Sequence, residues 1–286
     1  MAARLAKRAA KAYSRWSQTA AGGRGAVRLS MIPESKPKIA VLTLENWESS
    51  NALTGRMMCE LNDRVLHLAD TSLHPDLVGL ILTGAEGTFC AGADLNFAAA
   101  ELETAEDGAL MSALMSTTLQ QLRQLPLVSV AAIDGFAVGG GAELSTATDF
   151  RVMTPSSSVR FVQVKLGVSP GWGGGGRLTS LVGRRMALRL LGTGTPTPAV
   201  TALSIGLADH VAPEGVAALE AATDFLQPYA DQANPAAVRA IKQVVAIADS
   251  GASDDEAMHQ EALVFEQMWG IKPLPSVNDA KANANT

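Results

Sequence analysis

Cysteine is scarce in this 286-residue sequence: there are two, Cys59 and Cys90, with no CxxC and no cluster. That excludes a disulfide framework and suits a reducing compartment, cytosol or mitochondrial matrix. Histidine is equally thin. His67, His74, His210 and His259 show neither HxxxH nor HExxH spacing, so no metal is expected. No apolar run reaches the ~18 residues of a membrane helix, and no membrane partner is expected. Aromatic residues make up only 5% of the chain, and acidic residues are missing altogether before Glu34. What is present is 47% hydrophobic and 18% charged with a net charge of -5. A sizeable core is implied, and nucleic acid is an unfavoured partner.

The acid-free stretch divides the chain. Residues 1–33 carry seven basic residues, and without them the net charge falls from -5 to -12. Arg4, Lys7, Arg8, Lys11 and Arg15 recur at three- and four-residue steps, so a helix there shows a basic stripe. An organelle transit peptide and a disordered basic tail both fit this pattern. Residues 1–35 therefore read as an extension, 36–196 as a mixed α/β core and 197–286 as a helical region. The folded part is expected to begin with a strand from Lys36 to Leu44. Strands are also expected at Leu77–Thr83, Leu127–Ile133, Asp149–Met153 and Ser158–Phe161. Helical spacing marks Leu53–Asp70, with Thr54 as N-cap. It also marks Leu110–Leu125, stopped by Pro126, and Arg177–Leu191. Residues 96–107 fit a helix or a lid. After Thr197 helices dominate, at 198–205, 216–229, 235–247 and 254–268, the last with Ser253 and Glu256 as a capping box.

Two glycine turns stand out. Phe89-Cys-Ala-Gly-Ala-Asp-Leu95 and Gly135-Phe-Ala-Val-Gly-Gly-Gly-Ala-Glu143 each follow a strand-like run. Glycine lets a backbone approach closely, and a helix start leaves N–H groups unpaired. Each turn alone reads as tight packing. Together they can aim two amide donors at one oxygen, an oxyanion hole. Two other matches mislead. Gly167-Val-Ser-Pro-Gly171 has the G-x-S-x-G pattern, but the residue after the serine is Pro170, which has no N–H to donate. Gly171–Gly176 matches G-x-G-x-x-G, but it follows no clear strand and no acid occurs from Arg177 to Ala208 to hold a ribose.

The two turns, with Ser50-Asn-Ala-Leu53, Asp149-Phe-Arg151 and Gly173-Gly…Arg177-Leu178, resemble the crotonase (enoyl-CoA hydratase/isomerase) superfamily from about Lys38 to Met268. The resemblance implies a ββα spiral core, a C-terminal helical region that mediates trimers or dimers of trimers, acyl-CoA thioester substrates and no separate cofactor. It implies an oxyanion hole from the amides of Ala93 and Gly140. It places Ala91, Leu95, Asn51 and Ala52 beside CoA and Trp172 at the acyl pocket. Family hydratases position a water with two glutamates. Glu143 matches the first, but the segment Phe161–Pro170 is two residues shorter than the usual one and lacks the second. Gln163 and Lys165 are its polar candidates, and neither is a carboxylate, so the two-base geometry fails. Further stretches, Ala105–Gly108, Arg123–Ala131 and Asp149–Val162, are similar to the family branch that decarboxylates ethylmalonyl-CoA and methylmalonyl-CoA, a metabolite-repair activity. Gln163 departs from that branch, where the resemblance implies histidine. Glu143 then either handles a proton or simply favours a helix N-terminus. Divergent hydratase or isomerase activity, and CoA or RNA binding without catalysis, are the competing expectations.

Overall fold

The computed structural model describes residues 2–17, 23–32, 38–232 and 234–269. In chain order these form α1 (Ala2–Trp16), β1 (Ala26–Met31), β2 (Ile39–Glu45), α2 (Gly55–Ala69), β3 (Gly79–Gly84), α3 (Leu95–Glu101) and α4 (Ala105–Gln124). Then come β4 (Val128–Ile133), β5 (Phe136–Val138), α5 (Gly140–Ser145), β6 (Phe150–Met153), β7 (Ser158–Arg160) and α6 (Gly174–Thr193). The chain continues through β8 (Thr197–Pro198), α7 (Ala199–Ser204), β9 (His210–Val211), α8 (Ala218–Ala230), α9 (Pro235–Ala248) and α10 (Asp254–Met268).

Six strands make one sheet in the order β1-β2-β3-β4-β6-β9. Only β1 runs antiparallel to its neighbour. The central strands β3 and β4 are largely apolar and buried on both faces. In β2, Ala40, Leu42 and Leu44 point into a core shared with α2 and α4, while Ile39 and Val41 point to α8 through Ala221, Ala222 and Leu226. A second sheet, β5-β7-β8, stacks the turn that follows β4. The chain thus steps from the large sheet to the small one and into a helix, which is the ββα repeat of the expected spiral.

The start of the fold differs from the sequence reading. The sheet begins at Ala26, since β1 pairs with β2 from Ala26↔Glu45 to Met31↔Ala40. Helix α1 also belongs to the packed body: Ala12 and Trp16 are fully buried, and Trp16 meets the Phe97 ring edge-on at 5.2 Å. Arg15 pairs with Glu101 and Asp107, and Arg8 with Glu106. The basic stripe is half of a charge match to the start of α4, not a free face. Lys36 and Pro37 of the expected first strand lie outside the described residues, as do 270–286 of the C-terminal region.

Capping explains other boundaries. Thr54 Oγ1 accepts from Met57 N at 3.3 Å and starts α2. Thr104 and Asp107 form a full capping box at the start of α4, five residues before the expected start at Leu110. At α10 the Ser253 side chain accepts from Glu256 N, which supplies one half of the expected box. The region 96–107 is a short helix and a cap. Strands β5, β8 and β9 have two or three residues each, too few to show a period of two.

The Asp149-Phe-Arg151 stretch is structural. Asp149 accepts from Ser129 N and Oγ at 2.7 and 2.8 Å and pairs with Lys242 of α9. Arg151 donates to Leu207 O, Thr148 O and Asp209, joining β6 to the chain before β9. Burial lowers the Arg151 pKa, and Asp209 and Asp149 oppose that shift.

Candidate active site

The two glycine turns meet. Cys90 N–H donates to Phe136 O at 3.2 Å and Val138 N–H to Cys90 O at 2.9 Å, so the first turn runs along β5. On its other side Ala91 N–H donates to Ser50 O, Leu53 N–H to Gly92 O and Asp94 N–H to Leu53 O. Gly92 lies at φ 99°, and a Cβ there would stand 2.9 Å from Gly140 N. Only a residue without a side chain permits that approach. Among the described residues, the amides of Ala93 and Gly140 donate in none of these loop bonds. Both residues are partly exposed. An oxyanion hole needs two such donors aimed at one acceptor. Helix α5 has six residues, so the amides themselves outweigh its dipole.

Trp172 closes one side. Its side chain is 2% exposed, and a Cβ on Gly140 would come within 2.5 Å of its ring. Glu143, one helical turn after Gly140, is also 2% exposed. Its Oε1 accepts from Gln163 Nε2 at 2.8 Å and Gly171 N at 3.2 Å; its Oε2 accepts from Trp172 N at 2.8 Å and Gly174 N at 2.9 Å. All four partners are donors, so the carboxylate acts as an acceptor that pins the glycine-rich loop.

Several groups around that loop escaped sequence reasoning. Ser112 and Ser116 of α4 both donate to Gly171 O, at 2.6 and 3.3 Å. Arg177 donates to Glu143 O, Trp172 O and Thr146 Oγ1. Burial brings its pKa down to about 10, against the attraction of Glu143, so it stays charged at neutral pH. Its place at the end of the glycine run was the only signal available in the sequence.

The residues expected beside CoA separate. Asn51 is fully buried at φ 55°; its Nδ2 donates to Ala85 O and Thr88 O, and its Oδ1 accepts from Asn46 N. Its side chain builds the loop. Ala52 is buried, Ala91 is half-buried and Leu95, the first residue of α3, is 75% exposed. Asp94 caps α3 through Phe97 N at 2.9 Å. Burial pushes the Cys90 thiol up to about 12, so it is an inert apolar group here. A cleft of about 370 Å³ opens along α3 between Ser49, Asp94 and Glu101. A larger cavity of about 680 Å³ lies elsewhere, lined by Phe150, Tyr229, Ile241 and Val245, and includes none of the expected site residues.

The ββα spiral defines a crotonase-fold protein. A profile of the enoyl-CoA hydratase/isomerase family matches residues 34–272, and the chain belongs to that family. Among curated relatives, the ethylmalonyl-CoA decarboxylase of Xenopus laevis is 42% identical over 248 residues, 86% of this chain and 80% of the relative. That of Gallus gallus is 43% identical over 235 residues, 81% and 76% of the two chains. The human protein of the same name is 39% identical, over 81% and 74%. Among solved structures, the enoyl-CoA hydratase of Bacillus anthracis superposes with a TM-score of 0.74 at 29% identity, covering 84% of this chain and 89% of that one. A Thermobifida fusca protein solved in complex with CoA gives a TM-score of 0.69 at 27% identity, covering 87% and 93%.

Proposed function

We propose that this protein decarboxylates short-chain malonyl-type CoA thioesters, ethylmalonyl-CoA and methylmalonyl-CoA, as a repair activity. The observation that carries this reading is the pairing of two free amides with a single carboxylate whose oxygens already accept four N–H donors. Hydration needs carboxylates free to activate a water. Decarboxylation needs none, because the substrate brings its own leaving group. The thioester oxygen sits between the amides of Ala93 and Gly140. Loss of CO2 moves the electron pair of the broken bond into an enolate, whose charge gathers on that oxygen. Each amide lowers the barrier by about 3 kcal/mol, as in comparable sites. Trp172 walls the acyl group against Gly140. Ala91 and Leu95 flank the CoA arm on the α3 side, with CoA as part of the substrate and no separate cofactor. The names of the relatives support the same chemistry.

Mixing the protein with ethylmalonyl-CoA, methylmalonyl-CoA and crotonyl-CoA and following products by mass spectrometry tests the reading. CO2 with butyryl-CoA or propionyl-CoA is the expected result. 3-Hydroxybutyryl-CoA from crotonyl-CoA, with no CO2, would overturn it in favour of a hydratase. The same reading includes a homotrimer or a dimer of trimers, joined through the C-terminal helices. Ile241 and Val245 of α9, Met258 and Phe265 of α10 and the adjoining Trp269 are all more than half exposed in the single chain, which supports such an interface.

A further inference from the structure

Four buried side-chain polar atoms find no hydrogen-bond partner among the described residues: Trp16 Nε1, Thr117 Oγ1, Gln121 Oε1 and Gln163 Oε1. Only Gln163 touches the candidate site. Its side chain is 7% exposed, and its Nε2 donates to Glu143 at 2.8 Å. The two ends of an amide are often interchangeable in a structure, but not here. Turning it over would set Oε1 against a carboxylate oxygen with no hydrogen between them. Glu143 therefore fixes the nitrogen inward and leaves the oxygen as a free acceptor. A buried carbonyl left without a donor costs about 1–3 kcal/mol. The neighbours of this side chain belong to the candidate site. Val162, the preceding residue, packs its methyl 3.3 Å from where a Cβ of Gly139 would lie. Trp172 covers Gly140, and both Trp172 N and Gln163 Nε2 converge on Glu143.

We infer that Gln163 Oε1 holds the water that returns a proton to the α-carbon after CO2 has left. The inference rests on the decarboxylase reading. Both oxygens of Glu143 are already engaged by four donors that hold the loop. A water that donates one hydrogen to Gln163 Oε1 keeps its second O–H for the α-carbon. When the enolate collapses to the carbonyl, its electron pair takes that proton to form the new C–H bond. The hydroxide left behind takes a proton from solvent. In balance, the malonyl-type thioester and one proton yield the acyl-CoA and CO2. Gln163 is thus a positioning residue that acts through water.

The test is turnover of ethylmalonyl-CoA in D2O by the wild type, Gln163→Met and Gln163→Leu, each checked for folding by its melting curve. The configuration of the deuterium at C2 of butyryl-CoA is read alongside CO2 release. The wild type gives one configuration. In Gln163→Met and Gln163→Leu, CO2 release falls by no more than about tenfold, because C–C cleavage rests on the amide donors. Their label spreads over both configurations. A single configuration in a folded Met or Leu variant overturns the inference, and so does a mixed label in the wild type while CO2 is still released. No CO2 from the wild type removes the decarboxylase reading, and the inference falls with it.

Discussion

At the residue scale, Glu143 and Gly140 carry separable tasks. Gly140 gives an amide and, by having no side chain, room for the Trp172 ring. Gly140→Pro removes that donor and is expected to lower turnover by about 10²–10³, the usual loss for one oxyanion donor. Steady-state kinetics on a variant with native circular dichroism checks this; full activity would sink the oxyanion assignment. Glu143 holds Gly171, Trp172 and Gly174 in place. Glu143→Gln replaces one acceptor oxygen by a donor facing other donors, and we expect stability to fall by about 2 kcal/mol or more in urea unfolding. Turnover then falls through a displaced Trp172. Unchanged stability with lost turnover would instead give Glu143 a direct chemical task. The sequence showed Glu143 as a candidate but not this use, because its backbone partners lie 28–31 residues further along the chain.

At the element scale, α1 is the part least visible in the sequence. An alanine-rich basic helix reads as a tail, since its burial depends on Phe97 and on acids near residues 101–107. Asp107 is held down to about 2, first by the Thr104 hydroxyl and next by Arg15. A carboxylate depressed in the folded state stabilises it fully above the unfolded value of about 3.9 and loses that effect as pH falls through about 2. Acidification from pH 4 to pH 2 is therefore expected to release α1 from α4. Pepsin cleavage within residues 2–16 should rise across that window. Asp107→Asn, compared with the wild type by hydrogen exchange at pH 7, should expose α1 without acid. Equal exchange in the two proteins would mean that Trp16 and Ala12 hold the helix alone.

At the scale of the whole molecule, the large sheet is well covered and the C-terminal helices are not. Helix α8 buries Ala218, Ala222 and Leu226 against the sheet, whereas α10 has no buried residue. A single chain leaves Phe265 and Trp269 stacked on each other with more than half of each ring in water. We expect sedimentation to give a multiple of three times 29.7 kDa. Ile241→Asp, on the exposed face of α9, should shift the protein toward single chains at micromolar concentration, because it places a charge in the core of the contact. A wild-type monomer would remove the trimer.

Local patterns in the chain were enough for the strands with long apolar runs, for the caps at Thr54 and Ser253, and for both glycine turns. In those cases the cause is contained in a few neighbouring residues: a run of apolar side chains, a hydroxyl before a helix, a residue without Cβ. The same patterns led to the family, whose resemblance implied Ala93 and Gly140 as donors. Other features needed the folded chain. These were the burial of α1, the four-fold engagement of Glu143, the loop-building bonds of the Asn51 side chain and the free oxygen of Gln163. Each depends on groups brought together from distant positions, and neither hydrogen bonding nor burial belongs to a residue until its partner is in place.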